Sequence, residues 1–513
     1  MKEKNKYGQY FTIDSIARFM VDLIGHNRDA KVLEPSSGKG VFLDALLEAG
    51  FTNVNAYEID QDLDTRHSFV KNESFISAPL DPYDVVIGNP PYIRWKNLEK
   101  ELKEELSTSP LWNKYFNSLC DYLFIFILKS ICHLTDGGEL IFICTEYWMN
   151  TTNSRSLRDF MTSNGFVSEI YHFKEAPLFE GVCASFIIFR YVKGGKAKKQ
   201  IDLYRYDGTG QPSYEELKKA QYFTHEYIPQ FESGSRWLLA TREQQELLSS
   251  FEEACSLESK GLFAEPVIKR IGEFCDIGNG MVSGLDKAFN MTGEEGFNEN
   301  ERQCMIKVLK AKDLDHYTYH SESQYFFIQD SISGDSFSKS FPVVNRHMAP
   351  YLKDLEQRYN YGKDIPYWEF VFPRNLSLFS RPEKRIMVPC KERISNKDHF
   401  RFVLAGPGYY PLQDVTCILR KDNCRESIEY LLAYLNNERV FKWLSYNGIV
   451  KGYIVEFSEA PIASIPYRSI NWDQEREVKI HEAITEAVNH FIVTRDETYL
   501  NIINQNFNYL FHG

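Results

Sequence analysis

Asn89, Pro90, Pro91 and Tyr92 stand in consecutive positions directly after the apolar run Val85-Val86-Ile87-Gly88. The prolines fix two φ angles and push the residue before each into extended geometry. They also remove two of the stub's four N–H groups, so its carbonyls face outward without local partners. The side-chain oxygen of Asn89 and the carbonyl oxygen of Pro90 can together accept both hydrogens of a planar primary amine. Such an amine, the exocyclic nitrogen of adenine for example, is a poor nucleophile because its lone pair is delocalised into the ring. Two acceptors on its hydrogens concentrate that lone pair on nitrogen, and the ring of Tyr92 can stack on the same heterocycle. The chemistry implied is attack by the amine on an electrophilic carbon. Positioning and electrostatics drive it, with no metal, strong base or covalent intermediate required.

The electrophile needs a binding site of its own. Leu33 to Gly40, "LEPSSGKG", carries small residues that let a ligand approach the backbone, just before an apolar helical stretch whose N-terminus offers unpaired N–H groups. A lone Gly-x-Gly is weak by itself. Here Glu58 of "YEID" follows about twenty residues later, where an acid commonly accepts hydrogen bonds from ribose hydroxyls. The pair points to an adenosine-containing cofactor. Glu34 and Pro35 precede the glycines, and a carboxylate there repels a pyrophosphate but suits the ammonium end of a methionine. The cofactor expected is therefore S-adenosyl-L-methionine, whose sulfonium carries an electrophilic methyl group.

Elements that could hold these loops are visible in the pattern. Residues 14–25 form an amphipathic helical stretch, and "KVLEP", "VNAYEID" and "YDVVIGN" are short apolar strands. Helical stretches at Val41 to Ala49, Tyr122 to Cys132 and Arg155 to Met161 alternate with the strands "ELIFICT" and "ASFIIFRY". The fold class expected is α/β, a Rossmann-like, mostly parallel, doubly wound sheet. Composition turns polar at Lys193-Gly194-Gly195-Lys196, and the boundary is placed at residue 235. Residues 236–513 are loop-rich and aromatic, with helices expected only at 426–444 and 474–493, as in an α+β domain.

Bulk properties narrow the class. Across 513 residues no apolar run approaches the ~18 residues of a membrane span, and the first residues lack the apolar stretch of a signal peptide. The ten cysteines include no Cys-x-x-Cys pair, so no metal site is expected and reduced, cytoplasmic thiols are the plain reading. Net charge is −12, which argues mildly against a nucleic-acid partner. Against that, Arg381 to Arg401 holds seven Lys or Arg and three Asp or Glu, a local excess of four.

In order, "KYGQYFT", "LEPSSGKG", "YEID", "IGNPPY" and "LFEGVCASFIIF" resemble the motifs of the gamma-class DNA adenine-N6 methyltransferases of bacterial restriction–modification systems, over residues 6–195. The resemblance implies transfer of methyl from S-adenosylmethionine to an adenine flipped out of double-stranded DNA. Thr12, Glu34 and Ser36 would meet the methionine part, with Gly38 and Pro91 also at the cofactor. Glu58 would hold the ribose, while Ile59 and Phe126 pack on the cofactor's adenine. Asn89, Pro90 and Tyr92 would act on the target base, with Phe179 opposite Tyr92. The family's Asp-Phe is here Ser74-Phe75, leaving Ser74, or Glu73, to replace an acid on the cofactor's amine. The second half resembles target-recognition domains, and within it Arg381, Lys384 and Arg385 become the expected phosphate contacts. A separate cognate restriction endonuclease and a monomer on DNA are expected; a fused nuclease is not, since the first motif begins at residue 6. Asn-Pro-Pro-Tyr is shared with protein-glutamine and some RNA methyltransferases, so these stay open, as does a non-catalytic DNA-specificity protein.

Overall fold

A computed structural model describes residues 7–179, 181, 184–257, 267–329 and 332–512. Of the stretches quoted above, Lys6, Glu180, Val182 and Cys183 lie outside the described residues. The chain divides into two units, Met1–Gln245 and Glu246–Gly513, so the division falls somewhat beyond the expected 235.

In chain order the first unit contains α1 (Asp14–Asp22), β1 (Val32–Glu34), α2 (Val41–Glu48), β2 (Val54–Tyr57), β3 (Val70–Lys71) and β4 (Tyr83–Gly88). There follow α3 (Lys100–Thr108), α4 (Pro110–Tyr115), α5 (Tyr122–His133), β5 (Leu134–Thr145), α6 (Arg155–Asn164) and β6 (Gly165–His172). The last strands are β7 (Phe186–Lys193), β8 (Gln200–Tyr206) and β9 (Phe223–Pro229). All nine strands form one sheet in the order β3-β2-β1-β4-β5-β7-β6-β8-β9. The first five pair in parallel, and β7 runs antiparallel between β5 and β6. The doubly wound sheet read from the sequence is the one that forms.

Successive residues of a strand face opposite ways, and both faces of this sheet are covered. Val85 and Ile87 of β4 pack with Ile16, Phe19 and Met20 of α1 and with Phe42 and Leu46 of α2. Val86, between them, packs with Leu123, Ile127 and Ile131 of α5. That is why β4 reads as an unbroken apolar run rather than an alternating one. The chain goes from β1 to β2 on one side and reaches β4 on the other. This switch in strand order opens a crevice beyond the strands' carboxyl ends. The loops Glu34–Gly40 and Asn89–Tyr92 both leave the sheet there. Nearby, the buried Lys129 of α5 donates to the carbonyls of Ile76 and Ala78 at 2.6 and 2.5 Å, fastening the loop that follows Ser74.

The second unit holds a four-stranded antiparallel sheet of Cys275–Asn279, Val415–Arg420, Arg385–Pro389 and Val403–Ala405, in that order, besides smaller sheets. Its core includes Val308, Phe326, Phe337, Met387 and Cys417. The helix expected at 426–444 is two, Ile428–Leu435 and Glu438–Asn447, with the Asn437 side chain capping the second. Glu475–Thr494 matches the other expectation. Thr498–His512 is a long helix that the sequence reading did not contain, although Ile503, Phe507 and Leu510 bury one face of it at helical spacing.

Candidate active site

Gly38 and Gly40 take φ of +53° and +83°, which side chains rarely adopt. A Cβ on Gly40 would sit 2.9 Å from the His67 ring and 3.0 Å from the Thr65 carbonyl oxygen, so the turn into α2 requires glycine. Beyond β2, Glu58 is 4% exposed and accepts N–H bonds from Gly38 at 2.7 Å and Asp60 at 2.9 Å. Burial holds its carboxyl above the ordinary range although those bonds pull the other way. Glu34, at the end of β1, is 1% exposed and its Oε2 has no hydrogen-bond partner. Burial first, then the neighbouring Glu58 and Asp44, push its pKa well up. An unpaired buried carboxyl of this kind is relieved by a cation.

Ser36, Gly38, Glu58, Ile59, Ser74, Phe75, Pro91 and Phe126 all line one cleft, together with Asn89 and Pro90. The structure thus brings together eight of the ten residues expected at the cofactor. Ser74 lines the cleft, whereas Glu73 is exposed and does not. Phe75 and Phe126 pack ring against ring at 5.4 Å. Glu34 and Thr12 are not part of the lining. Thr12 instead reaches Asn89, whose Nδ2 donates to Thr12 Oγ1 at 3.1 Å and to the Tyr10 carbonyl at 2.8 Å.

The Tyr10 carbonyl fixes the amide's orientation, because it can only accept and only the amide nitrogen can donate to it; the Thr12 hydroxyl adds a second contact. Oδ1 is thereby the accepting end of the amide, and it faces the Tyr92 hydroxyl. The same hydroxyl lies 2.7 Å from the Ile143 carbonyl oxygen at the end of β5. Ser36 Oγ donates to the Asn89 carbonyl at 3.1 Å and ties the two loops together. Phe179, 5% exposed, packs on Phe186 with ring centroids 4.7 Å apart.

The sequence reading took only Thr12 from "KYGQYFT", but Tyr7, Gly8, Gln9, Tyr10 and Phe11 also line the cleft. Gly8 was the available signal. It takes φ of +65°, and a Cβ there would come within 2.3 Å of Ile93, one residue beyond Tyr92.

The Eco57I restriction-modification methylase family matches residues 33–179, the span from β1 to Phe179. Over 509 residues the chain is 45% identical to the type II methyltransferase M.HindII of Haemophilus influenzae, covering 98% of this chain and 97% of that one. Over 505 residues it is 43% identical to M.HincII of Haemophilus influenzae, with the same coverage. This chain belongs to the type II restriction–modification methyltransferases. Members of this family transfer a methyl group from S-adenosylmethionine to DNA. Among solved structures, the type IIL restriction-modification enzyme MmeI in complex with DNA matches with a TM-score of 0.59 at 11% identity, over 97% of this chain and 71% of that one. That likeness is one of fold.

The residues of this type II methyltransferase fit the family's cofactor. Ile59, Phe75 and Phe126 form an apolar wall beside Glu58, and Glu34, behind the lining, has an unpartnered carboxyl oxygen whose charge would suit an ammonium.

Of the three phosphate contacts expected in the second unit, Arg385 needs correction. Arg385 is fully buried and donates to the carbonyls of Phe379, Arg381 and Glu383 at 2.6, 2.5 and 3.1 Å. It opens an internal strand with its side chain turned inward, where no phosphate can reach. Arg381 pairs with Asp276 and Glu383 at 2.8 and 2.9 Å, and Lys384 with Glu429 at 2.8 Å. Further along the run, Lys397 and Arg401 both neutralise the buried Glu392. Part of the local charge is thus met by carboxylates of the same unit, while the Lys384 side chain stays 54% exposed.

Proposed function

We propose that this enzyme methylates the N6 amine of an adenine flipped out of duplex DNA, within one specific sequence. The observation that supports it is the Asn89 amide, whose nitrogen is tied back so that Oδ1 is the acceptor. An amide oxygen has two lone pairs, and Tyr92 faces one. The second can take one hydrogen of the target amine, and the Pro90 carbonyl the other. Tyr92, its hydroxyl held at the back of the site, offers its ring face to the base. Glu34 and Ser36 would hold the methionine end of S-adenosylmethionine, Glu58 its ribose, and Ile59 and Phe126 its adenine. Bound there, the cofactor supplies an electrophilic methyl group. The protein's part is to hold the amine in line with it, and the methylated nitrogen then sheds one proton to water. Unpairing and unstacking the base costs a few kcal/mol, which contacts from the second unit would offset while selecting the site.

The test is modified-base sequencing of DNA from a host expressing the protein. N6-methyladenine at a single motif, lost with Asn89→Ala, is the expected result. Methylation of cytosine N4, or labelled methyl appearing in ribosomal RNA or release factor instead of DNA, would overturn the reading.

A further inference from the structure

The slot that a flipped base must enter already holds a ring. Tyr10 lies with its centroid 5.8 Å from Tyr92, tilted by 32°, and 6.2 Å from Phe179, edge on. These are the two aromatics assigned above to the target base. A heterocycle stacked between two rings needs about 7 Å from one to the other, twice an ordinary carbon–carbon contact. The separation of Tyr10 from Tyr92 leaves no room for one. We propose that Tyr10 is a placeholder, whose ring fills the base slot of the free enzyme and swings out as the target adenine enters.

This rests on the reading of the site given above. Three features suit Tyr10 to the part. It is 37% exposed, so its ring has open solvent on one side to move into. Its backbone is held independently of its ring, through the carbonyl that accepts from Asn89 Nδ2. Rotation about the side-chain torsions therefore leaves the catalytic amide oriented. Finally, the rings of Tyr92, Phe179 and Phe186 wall the slot on its apolar sides, which an aromatic occupant covers better than water. Entry of the base then exchanges one aromatic contact for another instead of draining a cavity. Phe11, the next residue, lies under Lys39 with the ammonium 4.6 Å from its ring, which anchors the segment on the far side of the pivot.

The experiment compares two duplexes carrying the motif mapped by sequencing, one intact and one with an abasic site at the methylated position. A placeholder must be displaced by the intact target and can stay in place opposite the abasic one. Tyr10→Ala should therefore bind the intact duplex more tightly than wild type, by roughly three- to ten-fold, the scale of one aromatic pair. Its affinity for the abasic duplex should be unchanged. Tyr10→Phe keeps the ring and should keep the wild-type ratio. If Tyr10→Ala weakens binding to the intact duplex alone, Tyr10 is a wall of the slot and the proposal fails. If both affinities move together, its role is structural and the proposal also fails. Failure of the underlying reading would show in the wild type itself, as absence of methyladenine at any motif.

Discussion

A carboxamide beside a reacting amine is useful in one of its two orientations and harmful in the other, because its nitrogen cannot accept. The Tyr10 carbonyl decides the matter for Asn89, and the hydroxyl of Thr12 helps to hold the amide there. Thr12→Val keeps the shape and removes the acceptor. It should lower kcat about tenfold, roughly 1.4 kcal/mol, while leaving the cofactor and DNA dissociation constants within a factor of two. A parallel rise in the cofactor constant would instead return Thr12 to the methionine contact that the resemblance implied. With the proposed role for its oxygen, acting on the amine in the transition state, Asn89→Ala should abolish turnover with both ligands still bound. Glu34 makes a prediction about pH. Its pKa lies well above the ordinary carboxyl value in the free protein, and a cation favours the ionised form. If Glu34 holds the ammonium as proposed, binding of S-adenosylmethionine below the raised pKa should release a proton. Affinity is full above the raised pKa and falls as pH drops through it. Calorimetry in buffers of different ionisation enthalpy measures the proton directly, and Glu34→Gln should bind more weakly with that pH dependence gone.

At the scale of elements, the buried arginine sets the clearest expectation. Arg385 starts a central strand of the four-stranded sheet and satisfies carbonyls at the end of the preceding turn. Arg385→Met fills much of the same volume but orphans those carbonyls. Each orphaned buried acceptor costs about 1–3 kcal/mol, so denaturant unfolding should shift by ~2–4 kcal/mol. The salt dependence of DNA binding should not change; a flatter slope would restore Arg385 to the phosphate track. The contrast shows what the sequence could and could not disclose. Loops after β1 and β4 were legible because glycine and proline restrict the backbone in ways that need no partner. The sheet was legible because buried strands are apolar throughout. Arg385 misled because counting charges does not reveal which of them is turned inward, nor that Asp276, Glu429 and Glu392 meet its neighbours in the run. Thr498–His512 was passed over because its asparagines are weak helix formers, and packing of Ile503, Phe507 and Leu510 overrides that preference. Tyr10 was missed because nothing in its neighbours says that its ring meets Tyr92.

For the whole molecule the question is which unit carries affinity for DNA. The net charge of −12 repels a polyanion, so binding depends on a restricted set of exposed cations and on base contacts. Every residue lining the cleft, and Thr12, Glu34, Asn89 and Phe179 with them, lies in the unit Met1–Gln245, which has its own nine-stranded sheet and its own core. A fragment ending at Thr241, before the helix Arg242–Ala254, should fold and bind S-adenosylmethionine with nearly the full-length constant. It should not distinguish the mapped motif from other DNA. Each phosphate contact it lacks should flatten the slope of log affinity against log salt by about 0.9. The comparison is full-length protein and fragment, on cognate and scrambled duplexes, over a range of salt. A fragment that still prefers the cognate duplex would place sequence reading in the catalytic unit and leave Glu246–Gly513 some other task. If the fragment loses preference and slope together, the second unit supplies both register and specificity, through cations other than the buried Arg385. Register comes from phosphates and specificity from base edges. Substitutions within that unit should therefore separate into two classes, one changing the slope equally on both duplexes and the other changing only the ratio between them.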